Sequence, residues 1–228
     1  MNYFVFYIPG SMGSLLSVLI HSQTDETFKF LGFNDDTAHN HAKNIFSNTH
    51  NYTDYCKFKK SNKNIQQHLE ENQKENVGFQ RCDINWCEEF INYRPKNISS
   101  IVCYLSDNHL KLNNFYYKLK ELTLKNNKTS EFNFNIKKTH KNYEEIVFIK
   151  TITWWMNKEK KYLNLFSSID MIPIIREKEY EQLENICKIK NKKILDIIID
   201  NYSSKQTNKP IVFAKFPSFI EKYLKKYS

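Results

Sequence analysis

Residues 8–14, IPGSMGS, place two glycines and two serines between one apolar run, Phe4-Val5-Phe6-Tyr7, and a second, SLLSVLIH. A turn of this kind can hold an anion, because permissive glycines let successive backbone N–H groups converge where the positive end of a helix begins. Pro9, Gly10, Ser11, Met12, Gly13 and Ser14 are therefore the first candidate binding residues, with serine hydroxyls as further donors, while the same glycines also fit a plain strand-to-helix corner. The stretch is neither GxxxxGK[ST] nor GxGxxG, and no lysine stands between Met1 and Gln23. A magnesium-dependent ATPase or GTPase site is excluded on that ground, since nothing local offsets the charge of the outer phosphates. For proton transfer the suitable side chain is histidine, and His21, His39, His41, His50, His109 and His140 are the candidates.

The elements that must position these groups are short strands, each followed by a helix. Residues 2–8 read as a buried strand and Ser14 to His21 as the helix after it. Ile98 to Leu105, ISSIVCYL, is the clearest internal strand, and Asp107 is placed to cap a helix whose Leu112, Phe115, Tyr116, Leu119 and Leu122 share one face. EIVFIKT at 145–151 is a strand or the start of a helix holding Trp154 and Trp155, and periodicity does not separate the two. SIDMIPII at 168–175 reads as another strand, near an edge because Pro173 lacks a ladder donor. Helices follow at 177–187, at 192–202 and from about Pro217, while 24–76 offers weaker helical pieces and Val77 to Phe79 a short strand. Four sheet strands alternating with helices predict an α/β fold, a parallel sheet covered by helices, as a single domain over residues 1–228.

Composition narrows the setting. The chain of 228 residues is 40% hydrophobic and 15% aromatic, enough to fold around a core without metals or disulfides. Lys plus Arg exceed Asp plus Glu by 34 to 25, a charge of +9, which favours anionic partners. Only Arg81, Arg94 and Arg176 supply the planar fork used for bidentate phosphate recognition. Cys56, Cys82, Cys87, Cys103 and Cys187 are odd in number and lack paired CxxC spacing, so a reduced, cytoplasmic setting is expected and no metal is expected. No apolar run reaches the length of a membrane span, and the first twenty residues lack the basic start of a signal peptide.

In its order of motifs the chain resembles the sulfotransferase-like P-loop proteins, in particular small divergent forms from viruses and marine microbes. PGSMGS at 9–14 resembles their phosphosulfate loop, IVCYLSDNHLKLNNFYYK at 101–118 resembles the strand and helix that receive a 3′-phosphate, and SIDMIPIIREKEYEQLENICKI at 168–189 is similar to a later strand-to-helix stretch. The resemblance implies a P-loop nucleotide-binding-like fold and transfer of a sulfuryl group from 3′-phosphoadenylyl sulfate to an unidentified hydroxyl or amine acceptor. It implies a nucleotide site made of the 9–14 turn with Asp107, Asn113 and Asn114, and a base at His50 or His41. The sequence departs from the family pattern where Leu105 or its neighbour replaces an arginine and Asn113 or Asn114 replaces a serine.

Two other readings stand beside it. One is a non-catalytic descendant of the same fold that binds an anion or a protein, favoured by the missing cations. The other is a single-stranded nucleic-acid binder using Lys57, Lys59, Lys60, Lys63 and the run WMNKEKK at 155–161, in which lysines and aromatic residues are interleaved.

Overall fold

A computed structural model describes residues 2–8, 10–24, 28–30, 32–33, 98–116, 142–208 and 218–227. Strand β1 (Asn2–Tyr7) leads through the glycine turn into α1 (Gly13–Thr24). Strand β2 (Ile98–Tyr104) leads into α2 (residues 108–116), and the long α3 (Tyr143–Leu163) precedes the short β3 (Ser167–Asp170). Four helices follow: α4 (Met171–Glu177), α5 (Glu181–Glu184), α6 (Lys192–Asn208) and α7 (Ser218–Tyr227).

The strands form a parallel sheet in the order β1-β2-β3. Tyr7 pairs with Cys103, and Tyr104 with Asp170, so all three strands finish at the same level. Both faces are covered, as a parallel sheet requires. On one face Tyr3, Val5, Tyr7, Ile101, Cys103 and Ile169 pack against α1, α4, α5 and α6, through residues such as Leu16, Leu19, Ile172, Leu183 and Ile198. On the other, Ile8 joins Leu112 and Phe115 of α2, Phe148, Ile152 and Trp155 of α3, and Ile220 and Tyr223 of α7. The α/β expectation is met in this form: a small domain with a three-stranded parallel sheet covered by helices.

One open reading is decided and two are corrected. EIVFIKT is helical, because Val147, Phe148, Thr151, Ile152, Trp155, Glu159 and Tyr162 recur at spacings of three and four and form the buried face of α3. Glu144 and Glu145 in its first turn and Lys160 and Lys161 in its last complement the helix dipole. SIDMIPII is a strand only to Asp170, whose side chain caps α4 by accepting from the Ile172 amide. Pro173 is then the third residue of a helix, where its missing N–H costs nothing. The helix expected at 177–187 is likewise broken: Lys178 is left-handed at φ 55°, and only Glu181–Glu184 is helical. The expected helices at 14–21, 192–202 and after Pro217 are present with somewhat different ends. The segments read at 24–76 and the strand at 77–79 lie outside the described residues, apart from 24, 28–30 and 32–33.

Candidate functional site

The level ends of the strands bring three strand-to-helix turns together at one edge of the sheet, the edge where open α/β sheets take their ligands. In the first turn the Ser11 amide donates to Ile8 O at 3.0 Å, and Gly10 stands at φ 93°, a left-handed conformation that favours glycine. Met12 follows at φ 62°, and its carbonyl accepts the helical bond from Leu16 N at 3.1 Å. A left-handed non-glycine residue is strained by about 1 kcal/mol or more, so the surroundings hold this turn in place.

Those surroundings enclose the loop. Asn114 Nδ2 donates to Gly10 O at 3.2 Å, and the Cys103 thiol donates to Ser11 O at 2.9 Å. A Cβ built on Gly10 meets Phe115 N at 2.9 Å, and one on Gly13 meets the Tyr7 ring at 2.0 Å. Both glycines are thus explained by packing, Gly10 against α2 and Gly13 against the tyrosine that ends β1.

Beneath the turn lies a buried charge pair. Lys111 Nζ of α2 and Glu159 Oε2 of α3 are 2.6 Å apart, each side chain only 5% exposed. Burial pushes the Glu159 carboxyl above its ordinary range, while the Lys111 ammonium and, less, the Ser11 hydroxyl oppose the shift. Ser11 Oγ is near enough to favour the charged carboxylate without forming a well-aligned hydrogen bond. Ser11 Oγ, Glu159 Oε1 and Trp155 Nε1 are all buried without a hydrogen-bond partner of good geometry.

The second and third turns are joined by carboxylates. Asp170 Oδ1 accepts from the amides of Ser106 and Ile172, both at 3.1 Å, and the Asp170 amide donates to Gln182 Oε1 at 2.8 Å. Asp107 caps α2 by accepting from Leu110 N at 2.9 Å, and its other oxygen takes Arg176 Nη2 of α4 at 2.6 Å. The Leu110 amide, and after it Arg176, hold the Asp107 carboxyl below its ordinary range against a smaller opposing effect of burial. Half-buried Tyr104 is pushed up by burial, then by Asp170 and Glu159.

The predicted residues therefore meet in part. Gly10, Ser11, Met12, Gly13 and Ser14 form the turn, Asn114 bonds to it directly, Asn113 lies beside Asn114 on α2, and Asp107 stands at the neighbouring turn. Pro9, His41 and His50 lie outside the described residues. Sequence reasoning missed Lys111, Glu159, Asp170 and Arg176. The signal for the first two was present: Lys111 falls four residues before Phe115, and Glu159 four after Trp155, each on the apolar stripe of its helix. No group of three or more metal-ligating side chains occurs among the described residues, and none of their helices is long and apolar enough to cross a membrane.

The opposite side of α3 has a different character. Lys150, Trp154, Asn157 and Lys161 recur at i, i+4, i+7 and i+11, the spacing of one helical stripe, and all four are exposed. Trp154 is 44% exposed and meets the buried Trp155 ring at 5.3 Å and 67°. From residue 150 to 163 the helix carries Lys150, Lys158, Lys160 and Lys161, and its one acid in that span is the buried Glu159.

No family model, curated protein or solved structure matches the chain. The terms taken from the resemblance, namely P-loop, sulfotransferase, transferase, nucleotide-binding and viral, are corrected accordingly. Two glycines that match a phosphate loop by eye also match a close-packed corner, and the contacts at Gly10 and Gly13 account for them without a ligand.

Proposed function

We infer that this chain is a binding module and not a catalyst, and that it holds an anionic macromolecule on the outer face of α3. The observation that carries this reading is the exposed stripe Lys150, Trp154, Asn157 and Lys161 on a helix half whose acid is buried. The sheet edge supports it from the other side. Ser11 is fully enclosed, so its hydroxyl is not presented to a ligand. Among the described residues, Lys111 and Arg176 at this edge are paired with Glu159 and Asp107. Net positive charge on the rest of the chain adds long-range attraction for a polyanion, screened beyond about 8 Å at physiological salt.

The test is anisotropy of a labelled heparin oligosaccharide titrated at several salt concentrations. The reading expects measurable binding that weakens as salt rises, and a substantial loss in Lys150→Glu/Lys161→Glu. In parallel, calorimetry with adenosine 3′,5′-bisphosphate is expected to give no heat. Micromolar binding of that compound without heparin binding would overturn the reading.

A further inference from the structure

We propose that the occupant of the α3 stripe is single-stranded nucleic acid, DNA or RNA, with Trp154 as the platform on which a base stacks; this rests on the binding-module reading above. The lysines account for attraction to any polyanion, but they do not account for a tryptophan left in water at the centre of the stripe. Trp154 is held against Trp155, whose own ring is buried in the cluster formed by Ile8, Phe148 and Ile152. At an interplanar angle of 67° that contact orients the ring and leaves at least one of its faces uncovered by Trp155. A flat ring fixed beside positive charge matches a ligand that carries flat bases on a charged backbone.

The spacing fits the same ligand. Lys150 lies one turn before Trp154 and Lys161 two turns after, so the stripe runs about 16 Å along the helix axis. Asn157, between them, has an amide that both donates and accepts, as base edges and phosphates require. An acidic polypeptide would satisfy the lysines but offers carboxylates and no base to the ring. A duplex presents phosphates and base edges, but its base faces are stacked on one another and are not available to the ring. Stacking of this kind tolerates any base, because every base has a π-face, so the site reads strandedness and not sequence.

The experiment is an anisotropy titration of a labelled oligothymidylate about a dozen nucleotides long, with a matched duplex, poly-glutamate and heparin as competitors. Wild type is expected to bind the single strand more tightly than the duplex. Trp154→Ala is expected to weaken single-strand binding by about 5- to 150-fold and heparin binding by a much smaller factor, and Trp154→Phe to recover much of the loss. Lys150→Ala/Lys161→Ala is expected to reduce the slope of log K against log salt by about 1.4, or about 0.7 for each phosphate contact removed. The exposed position of Trp154 allows both variants to fold, and unchanged circular dichroism checks it. An unchanged single-strand affinity in Trp154→Ala, or equal competition by duplex or poly-glutamate, overturns this inference. If heparin still binds in that case, the binding-module reading survives; if neither heparin nor oligonucleotide binds, both fall.

Discussion

Replacing Lys111 with methionine removes the cation beside a carboxylate that is 5% exposed, and the consequence can be worked out against pH. Breaking a buried ion pair by deleting one partner costs about 3–5 kcal/mol, because the remaining charge is left uncompensated. Glu159 can avoid part of that cost by taking a proton. A glutamate ordinarily titrates near about 4.3, so forced protonation at pH 7 costs about 3.7 kcal/mol, and at pH 5 only about 1 kcal/mol. The penalty in Lys111→Met is therefore capped near about 4 kcal/mol at neutral pH and shrinks as the solution is acidified. The sign follows from linkage: burial raises the folded carboxyl above its unfolded value, so between the two the folded state binds more protons and stability falls as pH rises. Wild type carries the same sign more weakly, since Lys111 opposes the shift. Glu159→Gln removes the anion instead and leaves the Lys111 ammonium buried without its partner, so it too should be destabilised. Lys111→Met/Glu159→Gln should be less destabilised than the sum of the single variants, by about 2 kcal/mol or more. Urea denaturation across pH 5 to 8 measures all four proteins. A Lys111→Met cost below about 1 kcal/mol at pH 7, with no pH dependence, would refute the buried pair.

Gly13→Ala places a methyl group within the Tyr7 ring and is expected to cost at least the about 1–3 kcal/mol typical of overpacking, seen as a lowered Tm. Gly13→Ala/Tyr7→Ala should show a measurable coupling if that clash is the cause. Asp107→Ala removes the cap of α2 and is expected to cost about 1 kcal/mol, whereas Arg176→Ala, at the exposed end of the same pair, should change stability by less than about 1 kcal/mol. Because the Asp107 carboxyl is held low in the folded state, its contribution is present above its unfolded value and is lost as pH falls through the folded one. Buried Cys103 and Cys187, the latter with its thiol pushed up to about 11 by burial, should resist alkylation at pH 8 until the protein is denatured, as read by peptide mapping.

Much of the architecture was legible because strand and helix alternate with little ambiguity at β1, α1, β2 and α2. There the apolar runs are short, bounded by glycine or by Ser106-Asp107, and followed by residues at helical spacing. EIVFIKT was ambiguous because its β-branched residues fit a strand locally, and what decides the matter is a buried stripe that continues to Tyr162. Pro173 misled in the opposite way: it was read as an edge-strand residue, whereas the preceding Asp170 had already capped a helix. In the candidate site the turn was found, but the sequence left its glycines open between a ligand and a plain corner, and their nearest neighbours are Phe115 and Tyr7. A glycine reports close approach of something, and the sequence does not say whether that is a phosphate or a side chain. The run WMNKEKK contained both kinds of residue: Trp155 belongs to the core, and it is Trp154, just before the run, that faces solvent. Only the helical phase, once known, separates them.

Lysine acetylation footprinting, read by mass spectrometry with and without a single-stranded oligonucleotide, locates the face on which nucleic acid lies. Protection is expected to concentrate at Lys150 and Lys161, to extend to their neighbours Lys158 and Lys160, and to leave Lys178 and Lys192 on the other side of the sheet unchanged. Protection spread evenly over those six lysines, or confined to Lys178 and Lys192, would contradict that placement.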